Sequence, residues 1–368
     1  MRIYPNQQQQ KLLGKWFGVS RFIYNRTVEY LKQSGTKANW KAIKGQLLEG
    51  LPEWCSQVPY QIKSVAIRDA CLAVKKCKAD AKKKGGFFQA KFRSRKAPVQ
   101  SLYIPKTAVL TQGIFYTLLG GMRYGEDLPV DFGDARLTCY YGKFYLCLPV
   151  TEQRRIGENQ ARVVALDPGV RRFITFFSED SFGFLGVGAN KRIEKLCFRL
   201  DSIYSQMSKA NSRRKKRLHR ASLRVRARII TLIDEMHKKI ARFLCDNFDV
   251  ILLPTFETSE MTSKVGRKIR SRTARQMLSL KHFSFKRFLK HKAYETGKTV
   301  LDVCEAYTSK TASWTGEIKK IGGSKTITSG GLTADRDLNG ARGIFLRATV
   351  DTPLLRNNLR SEYVVNVS

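Results

Sequence analysis

The chain has 368 residues, of which 42% are hydrophobic and 11% aromatic, so it can bury a core and is not expected to be globally disordered. This length suggests two or three domains. Lys and Arg number 68 against 30 Asp and Glu, which gives a formal net charge of +38. Such a chain repels itself unless a polyanion neutralises it, so nucleic acid is the expected partner.

Membrane association fits less well, because the positive charge is spread along the whole chain and the apolar runs are too short to span a bilayer. The amino-terminal residues include no apolar signal-type stretch, so secretion is not expected. The eight cysteines form no CxxC pair. They are typical of buried, reduced thiols in an intracellular protein, and they argue against a cysteine-based zinc site.

The first half predicts two amphipathic helices, over residues 6–33 and 60–84. Their apolar stripes are expected to pack in a core. The basic residues between the apolar ones are candidates for phosphate contacts: Lys15, Arg21 and Arg26 on the first helix, and Lys63, Lys75, Lys76, Lys82 and Lys83 on the second.

A segment that mixes aromatic and basic residues follows, over residues 87–96. It suits charge neutralisation combined with base stacking, which makes Lys91, Arg93 and Arg95 candidates for nucleic-acid binding. The alternative is a solvated basic loop. Four β-like runs, 101–104, 114–117, 136–140 and 143–150, then indicate an antiparallel sheet. Residues 1–155 are therefore expected to form a small barrel-like sheet with a helical insert between about 20 and 85.

The second half alternates strands and helices, which indicates an α/β sheet domain. Strands are predicted at 163–166, 173–177, 250–254 and 299–304, and helices over 188–248, 273–297 and 337–347. The first helical stretch carries a basic cluster of five residues: Arg213, Arg214, Lys215, Lys216 and Arg217. This cluster suits phosphate contacts or, equally, a nuclear import signal.

Acidic residues at strand ends are informative in so basic a chain. Asp167 directly follows a buried strand, at the sheet edge where α/β folds place their sites, although an Asx turn is the alternative. Asp337 opens the last helix, where Asp335 or Asp337 could instead serve as the cap. Small residues at Gly340 and Ala341 would let this helix approach the sheet.

The third acid remains open at this point between two candidates, Glu257 and Glu305, which follow neighbouring predicted strands. Three carboxylates at one point would repel each other without counter-ions, and hard oxygen ligands favour Mg²⁺. In a protein that binds nucleic acid, such a cluster indicates phosphodiester hydrolysis with two Mg²⁺ ions.

Short motifs follow one another along most of the chain: IYP (3–5) with WFG (16–18) and RFIYN (21–25), LDPGVR (166–171), LPTFET (253–258), YTSKT (307–311) and DRDLNGAR (335–342). In this order the sequence resembles the TnpB and Fanzor family of transposon-encoded RNA-guided nucleases, relatives of type V CRISPR effectors. The likeness covers about residues 3–347.

The resemblance implies an α+β multi-domain protein. Residues 1–19 and 86–155 would form a β-barrel-like wedge domain, and 20–85 a helical recognition insert. Residues 156–311 and 335–350 would form an α/β RNase H-like nuclease domain of RuvC type, and 351–368 a tail. It further implies an omega (guide) RNA and a target DNA with a short adjacent motif as partners, with one protein molecule in the ribonucleoprotein.

Asp167 and Asp337 match the family's first and last catalytic acids and would bind Mg²⁺. The commoner TnpB pattern has a glutamate where this chain has Pro254. Fanzors and a related TnpB subset share this proline and use a relocated glutamate, which Glu305 fits, with Glu257 as the alternative. Glu305 would lie on the strand next to the one that ends at Pro254, which in turn neighbours the strand of Asp167.

The family usually carries a four-cysteine zinc ribbon in the segment that corresponds to 312–334, which has no cysteine here. ASWTG (312–316) and ITSGG (327–331) stand where CxxCG knuckles are expected. Zinc cannot be held by these side chains, so a metal-free loop or a collapsed, mobile remnant of the target-strand-loading ribbon is expected.

These observations leave three candidate functions. The first is an RNA-guided, Mg²⁺-dependent DNA endonuclease. The second is a guided DNA-binding repressor whose nuclease has decayed, which the missing cysteines favour. The third is a basic RNA-binding protein, which the ordered acids oppose. Fanzor-like features suggest the nucleus of a eukaryotic or giant-virus host, and the alternative is a bacterial cytoplasm.

Overall fold

The computed structural model describes residues 1–33, 35–86, 89–151, 153, 162–255, 258–263, 269–304, 308, 310–320 and 322–351. The chain divides into two compact units, Met1–Thr151 and Glu152–Ser368. Each unit is described by itself below.

The described part of the first unit contains antiparallel strands and a group of helices. The strands are β1 (Arg2–Tyr4), β2 (Val99–Ile104), β3 (Val109–Leu110), β4 (Gly113–Ile114), β5 (Arg123–Tyr124), β6 (Ala135–Tyr140) and β7 (Lys143–Cys147). The helices are α1 (Gln7–Tyr30), α2 (Trp40–Leu48), α3 (Tyr60–Lys84) and α4 (Tyr116–Leu119).

The main sheet of this unit has the order β2-β6-β7-β1-β5, with antiparallel neighbours throughout. Strands β2 and β5 are its two edges, and β3 and β4 form a separate hairpin. The predicted barrel-like closure is therefore wrong for the described residues. The physical reason is length, because β5 contributes two residues and cannot extend the sheet round to β2.

The long helices begin and end where the sequence supplies caps. Asn6 and Gln9 form a capping box, in which each side chain accepts a hydrogen bond from the other's backbone N–H, at 2.9 and 2.8 Å. Helix α3 follows Pro59 and ends at Gly85, which has a positive φ of 67°. Both helices bury apolar side chains, including Trp16 and Ile67, in one core with the sheet.

The second unit also has its elements in two groups. The strands of its described residues are β8 (Val163–Pro168), β9 (Ile174–Phe177), β10 (Phe182–Leu185), β11 (Val250–Pro254), β12 (Thr299–Val303), β13 (Thr326–Ser329) and β14 (Leu332–Asp335). The helices are α5 (Ala189–Ser208), α6 (Ser212–Asn247), α7 (Thr258–Thr262), α8 (Ser271–Leu280), α9 (His282–Glu295) and α10 (Arg336–Asp351).

Five of these strands form a mixed sheet in the order β10-β9-β8-β11-β12. Strands β8, β11 and β12 are parallel, whereas β8, β9 and β10 are antiparallel neighbours. The expected arrangement, in which the strand before Glu305 neighbours the strand ending at Pro254 and that strand neighbours the one of Asp167, is confirmed. The carboxyl ends of the three parallel strands therefore share one edge of the sheet.

The two faces of this sheet are covered by different helices, as the near-continuous apolar strands require. Val163, Ala165 and Leu252 pack against Ile344 and Phe345 of α10. Alternate residues, such as Val164 and Leu166, pack in a larger core with α5, α6 and α9. Since strand side chains alternate, Asp167 continues the row that faces α10.

Several predicted elements differ in detail. The run 114–117 is not one strand, because β4 ends at Ile114 and α4 begins two residues later after Phe115, whose φ is 44°. The single stretch predicted over 188–248 is two helices, and Asn211 caps the second through its side chain, which accepts from the Arg214 N–H. Two helices also replace the one predicted over 273–297, with Lys281 at a positive φ between them.

Candidate functional site

The first acid of the site lies at the carboxyl end of a buried strand. Asp167 is the penultimate residue of β8 and faces α10, which approaches closely at Gly340. A Cβ atom built on Gly340 would lie 2.6 Å from Oδ2 of Asp167. Only glycine leaves this space, so the backbone of α10 serves as one wall against the carboxylate.

The second acid sits in the first turn of α10, and a neighbouring acid carries out the capping. The carboxylate of Asp335 accepts hydrogen bonds from the N–H groups of Asp337 and Leu338, at 3.0 and 3.2 Å. The carboxylate of Asp337 therefore takes no part in the cap and lines the cavity beside Asp167. The two roles that the sequence left open are thus divided between the two aspartates.

Two consecutive arginines after the β8 turn pair with these acids. The guanidinium of Arg171 donates to Asp337 Oδ2 at 2.6 Å. Arg172 donates to Asp335 Oδ1 at 2.7 Å and stacks over the ring of Phe184, with its central carbon 3.6 Å from the ring centroid. Sequence reasoning did not single out these partners, although they follow the DPG turn after a single residue, Val170.

The pKa of Asp335 reflects this environment. Burial acts to raise it, but the Arg172 hydrogen bond and the backbone N–H groups of Leu338 and Asp337 outweigh burial and hold the pKa below its usual value. The cap therefore stays ionised through the neutral range, which suits the positive end of a helix.

Asp167 and Asp337 line one cavity of about 410 Å³ in the second unit. Its walls come from the β8 turn, the start of α10 and the loop before β13. The lining residues are Asp167, Pro168, Gly169, Val170, Arg171, Thr175, Met261, Gly323, Ser324, Arg336 and Asp337.

The middle acid cannot be located in the same way, because Glu257 and Glu305 both lie outside the described residues. The register does fix the neighbours of Asp167. Ala165 pairs with Leu252, and Pro254 pairs with Val303, so Asp167, Pro254 and Val303 lie at the same level of three adjacent strands. Pro254 has no side-chain donor for a metal.

The donor chemistry of this cavity fits Mg²⁺. Asp167 and Asp337 supply carboxylate oxygens, which are hard ligands. Within the described part of the chain, no three His, Cys, Asp or Glu side chains are close enough together to hold a metal ion. Two acids from separate elements are thus brought to one cavity.

The turn after β8 is supported by an aromatic stack in the larger core. Phe173 lies between His237 and His282, with ring centroids at 5.1 and 4.7 Å. Burial lowers the pKa of each histidine to about 4; the hydrogen bond of His237 to the Leu280 carbonyl and that of His282 to the Gly169 backbone act in the opposite direction. Both histidines are therefore neutral near pH 7. Sequence reasoning missed them.

Most of the basic residues predicted to bind nucleic acid are exposed. The exposed members are Lys15, Lys75, Lys76, Lys82, Lys83, Lys91, Arg95, Arg213, Arg214, Lys215, Lys216 and Arg217. The last five lie in the first two turns of α6. Such side chains are free to meet phosphates, and whether they do so stays a prediction.

Three other predicted residues are half-buried and bonded within the first unit. Arg21 donates to the side chain of Gln100 at 2.9 Å. Arg26 and Lys63 reach backbone carbonyls, of Gly50 at 3.5 Å and of Cys55 at 3.4 Å. These bonds are long or single, so they leave the cations partly available.

Arg93, also half-buried, is held more firmly. Its guanidinium donates to Asp69 at 3.2 Å and lies 3.9 Å from the centroid of the Tyr24 ring, while its backbone exchanges two hydrogen bonds with Asn25. Arg136 binds the same carboxylate with two bonds of 2.6 Å. Burial acts to raise the pKa of Asp69, but the two arginines hold it below its usual value. Arg93 thus has a structural role, which the pattern of basic residues could not reveal.

The structure also bears on two further predictions, which concern membrane-spanning segments and the burial of the cysteines. None of the helices in the described ranges combines the length and the hydropathy of a bilayer span. The eight cysteines are all unpaired, but Cys147 and Cys304 are exposed, so the expectation of buried thiols is wrong for these two. Both come at the last residue of a strand or directly after one, where burial by the sheet ends.

Comparison with known proteins agrees with the motifs. A family model described as the Cas12f1-like TNB domain matches residues 282–344, and a helix-turn-helix domain model matches residues 1–36. A TnpB-like protein of Acanthamoeba polyphaga mimivirus is 26% identical, over 94% of this chain and 72% of that protein. InsQ of Escherichia coli (strain K12), whose name describes an RNA-guided DNA endonuclease, is 25% identical, over 93% of this chain and 90% of that protein.

Among solved structures, the chain is similar to the protein of a Cas12f1-sgRNA-target DNA complex, with a TM-score of 0.48 and 12% identity, covering 92% of this chain and 83% of that one. The structure and the site define an α/β protein with two acids in one cavity and a strongly basic surface. The chain is similar to TnpB-like proteins over nearly its whole length, which confirms the resemblance that its motifs predicted.

Proposed function

We propose that this chain is an RNA-guided DNA endonuclease, in which an omega RNA selects a target DNA next to a short motif and the second unit hydrolyses the phosphodiester. The observation that carries this proposal is the approach of Asp167 and Asp337 within one cavity, in a chain of net charge +38. The name of InsQ supports the guided part of the proposal.

The second unit would be the RuvC-type, RNase H-like nuclease domain. Its mixed five-stranded sheet and the position of Asp167 at a strand end support this assignment. Glu305 is proposed as the middle acid. It follows Val303 by two residues, and Leu301 and Val303 pack on the α10 side of the sheet, the side that Asp167 also faces.

Asp167, Glu305 and Asp337 would hold two Mg²⁺ ions, which when bound activate water and stabilise the leaving oxygen. Other residues of the chain position these acids and place charge at the cavity. Gly340 leaves space for the Asp167 carboxylate, and Asp335 fixes the start of α10. Arg171 carries a positive charge at the cavity, where a DNA phosphate would approach.

A guided DNA-binding protein without cleavage is the second candidate. One observation favours it, namely that Arg171 occupies Asp337 through a bond of 2.6 Å and would compete with a metal ion for that carboxylate. The proposed assembly has one protein molecule per guide RNA. The proposed location is the nucleus of a eukaryotic or giant-virus host, with a bacterial cytoplasm as the alternative.

The decisive experiment expresses the protein with its flanking DNA and sequences the RNA that co-purifies. One dominant folded RNA that ends in sequence from outside the element is expected, and a heterogeneous host RNA pool would contradict the guided function. Cleavage of the matching DNA is then measured for wild type, Asp167→Asn and Asp337→Asn. Loss of cleavage with retained RNA binding supports a nuclease, whereas a wild type that binds and never cleaves supports the second candidate.

A further inference from the structure

The segment that replaces the family's zinc ribbon is a hydrogen-bonded structure, not an irregular loop. Its end is the hairpin of β13 and β14, paired in register from Thr326↔Asp335 to Ser329↔Leu332. Its beginning folds into a turn, in which the N–H groups of Thr315 and Gly316 bond to the Ala312 carbonyl at 3.2 and 2.8 Å. A bridge between Thr311 and Ile318 closes this turn.

The four positions where knuckle cysteines would stand are Ala312, Thr315, Ile327 and Gly330. Ala312 and Ile327 are buried, with 0% and 2% of their surfaces exposed. A Cβ atom built on Gly330 would lie 3.2 Å from Cγ2 of Thr315, so these two positions face each other. The two halves of the ribbon therefore still meet where a metal would bind, but apolar and hydroxyl groups occupy the space.

A closed ring of hydrogen bonds lies at this meeting point. The Ser329 hydroxyl donates to Glu317 Oε2 at 2.6 Å, and Thr315 Oγ1 lies 2.7 Å from Ser329 Oγ. Because Ser329 has one proton and gives it to a carboxylate, the Thr315 hydroxyl donates to Ser329. The N–H of Glu317 completes the ring by donating to Thr315 Oγ1 at 3.4 Å.

The indole of Trp314 adds a bond across the same joint, since its Nε1 donates to the Ser329 carbonyl at 3.0 Å. Ser329 is thus bound through both its side chain and its backbone, and it is 1% exposed. Thr315 and Glu317 are exposed, so the buried Ser329 is the member that anchors this ring in the protein.

This segment is also fastened to α10 and to the acid cavity. The buried side chain of Asn339 accepts from Ser313 N–H at 2.9 Å and donates to the Thr311 carbonyl at 2.8 Å. Arg336 donates to the carbonyls of Gly322 and Ser324, at 3.2 and 3.3 Å. Ser324 and its neighbour Gly323 line the cavity of Asp167 and Asp337.

We propose that the ring of Thr315, Glu317 and Ser329 takes the place of the metal, so that residues 310–320 and 322–335 fold without zinc and form a fixed wall of the acid cavity. This inference does not depend on the proposed function, because it concerns folding and not cleavage.

Hydrogen exchange measured by mass spectrometry on the full chain tests it, with zinc determined by elemental analysis in the same preparation. We expect less than a tenth of a zinc ion per chain and the same exchange protection of peptides over 312–330 with and without EDTA. Ser329→Ala removes two bonds of the ring and should speed exchange in these peptides about thirtyfold, which corresponds to about 1 kcal/mol for each bond lost.

Thr333→Ala is the matched control. It removes the bond between Thr328 and Thr333, 2.8 Å long, on the exposed side of the same hairpin, and it leaves the ring intact. Thr315→Val is a second test variant that keeps the side-chain shape. Stoichiometric zinc whose removal abolishes protection would overturn the proposal. So would unprotected peptides in the wild type, or equal effects of Ser329→Ala, Thr315→Val and the control.

Discussion

The Asp167 carboxylate lies directly against the backbone of Gly340, with only 2.6 Å between Oδ2 and the place of a Cβ atom on that glycine. The strand end and the first turns of the last helix therefore meet without an intervening side chain. This close approach brings Asp167 and Asp337 into one cavity, because Asp337 lies three residues earlier on the same helix.

Gly340→Ala is expected to abolish most DNA cleavage. The added methyl group must displace the Asp167 carboxylate, and displacements of about 1 Å at a catalytic group cost about a hundredfold in rate. Alanine is favoured over glycine in a helix interior by about 1 kcal/mol, which offsets part of the cost of displacing the carboxylate. The melting temperature should therefore change little. Initial cleavage rates and thermal unfolding are the two measurements.

Gly45→Ala is the control for this change, since it also puts a methyl group on a helix but meets no atom within 4 Å. Its cleavage rate should equal that of the wild type. If Gly340→Ala cleaves equally well, the carboxylate of Asp167 is not required in the position described.

Glu305→Ala is expected to lower cleavage by at least about a thousandfold if this residue is the middle acid, because a metal ligand would be removed. Asp302→Ala, three residues earlier in the sequence and within β12, is the matched control. That acid pairs with Lys286 and Lys290, each at 2.8 Å, and is partly exposed, so its removal should cost at most about 1 kcal/mol of stability. Loss of cleavage in Glu257→Ala, with full activity in Glu305→Ala, would assign the role to Glu257.

The elements of the fold were largely predictable from local signals, and the long-range pairings were not. The apolar run before Asp167 and the turn residues after it identify β8, and Gly85 after an amphipathic run identifies the end of α3. Helix α2 and the β13–β14 hairpin were missed, because neither carries a long apolar period. The barrel prediction failed because pairing of the edge strands depends on their length in space, not on local alternation.

In the site, too, local signals predicted the acidic residues but not the contacts between distant residues. Asp167 and Asp337 could be singled out as acids at element ends in a basic chain. Their ion-pair partners could not, because Arg171 and Arg172 read as two more cations among 68. Arg93 was predicted to bind nucleic acid, which stays a prediction, and the structure pairs it with Asp69, a residue distant in sequence. Contacts between residues that are distant in sequence decide which charged side chains remain free to bind a partner. No local sequence pattern predicts those contacts.

Arg172→Ala is expected to destabilise the second unit by about 1–3 kcal/mol, since it removes a charge-assisted hydrogen bond to Asp335 and the stacking on Phe184. Arg172→Lys should recover only part of this, because lysine cannot stack as a planar group. Arg171→Ala is the comparison and should cost about 1 kcal/mol or less, because its ion pair is more exposed. Urea denaturation measures all three, and equal costs for the two alanine variants would contradict this division of roles.

His237 and His282 should make the stability of the second unit depend on pH. Both have a pKa of about 4 in the folded chain against about 6.5 when unfolded, so the unfolded state binds protons more readily. Their contribution is intact above about pH 6.5 and falls as the pH drops toward 4, by up to roughly 3 kcal/mol for each histidine. Denaturant titrations between about pH 7.5 and 4.5 measure the slope.

The double variant His237→Phe with His282→Phe should show a shallower slope, whatever its absolute stability. The exposed His219 provides the control, and His219→Gln should keep the wild-type slope. An unchanged slope in the double variant would mean that the two buried histidines do not titrate as described.

Replacing Arg213, Arg214, Lys215 and Lys216 by alanine is expected to weaken RNA binding and to reduce its salt dependence. Among the described residues no ion pair engages these four side chains at the start of α6, so each can release counter-ions by meeting a phosphate. The slope of log K against log salt should fall by about 0.7 for each phosphate that the variant no longer neutralises, or about 0.9 if the RNA is double-stranded there.

Lys239→Ala with Arg242→Ala, on the same helix, is the control for this change, because these cations already pair with Glu235 and Asp246. Its salt slope should stay close to that of the wild type, since a cation that is already paired releases fewer counter-ions from RNA. If the control lowers the slope as much per charge as the test variant, RNA binding depends on total charge, and the start of α6 is not a specific RNA-binding surface.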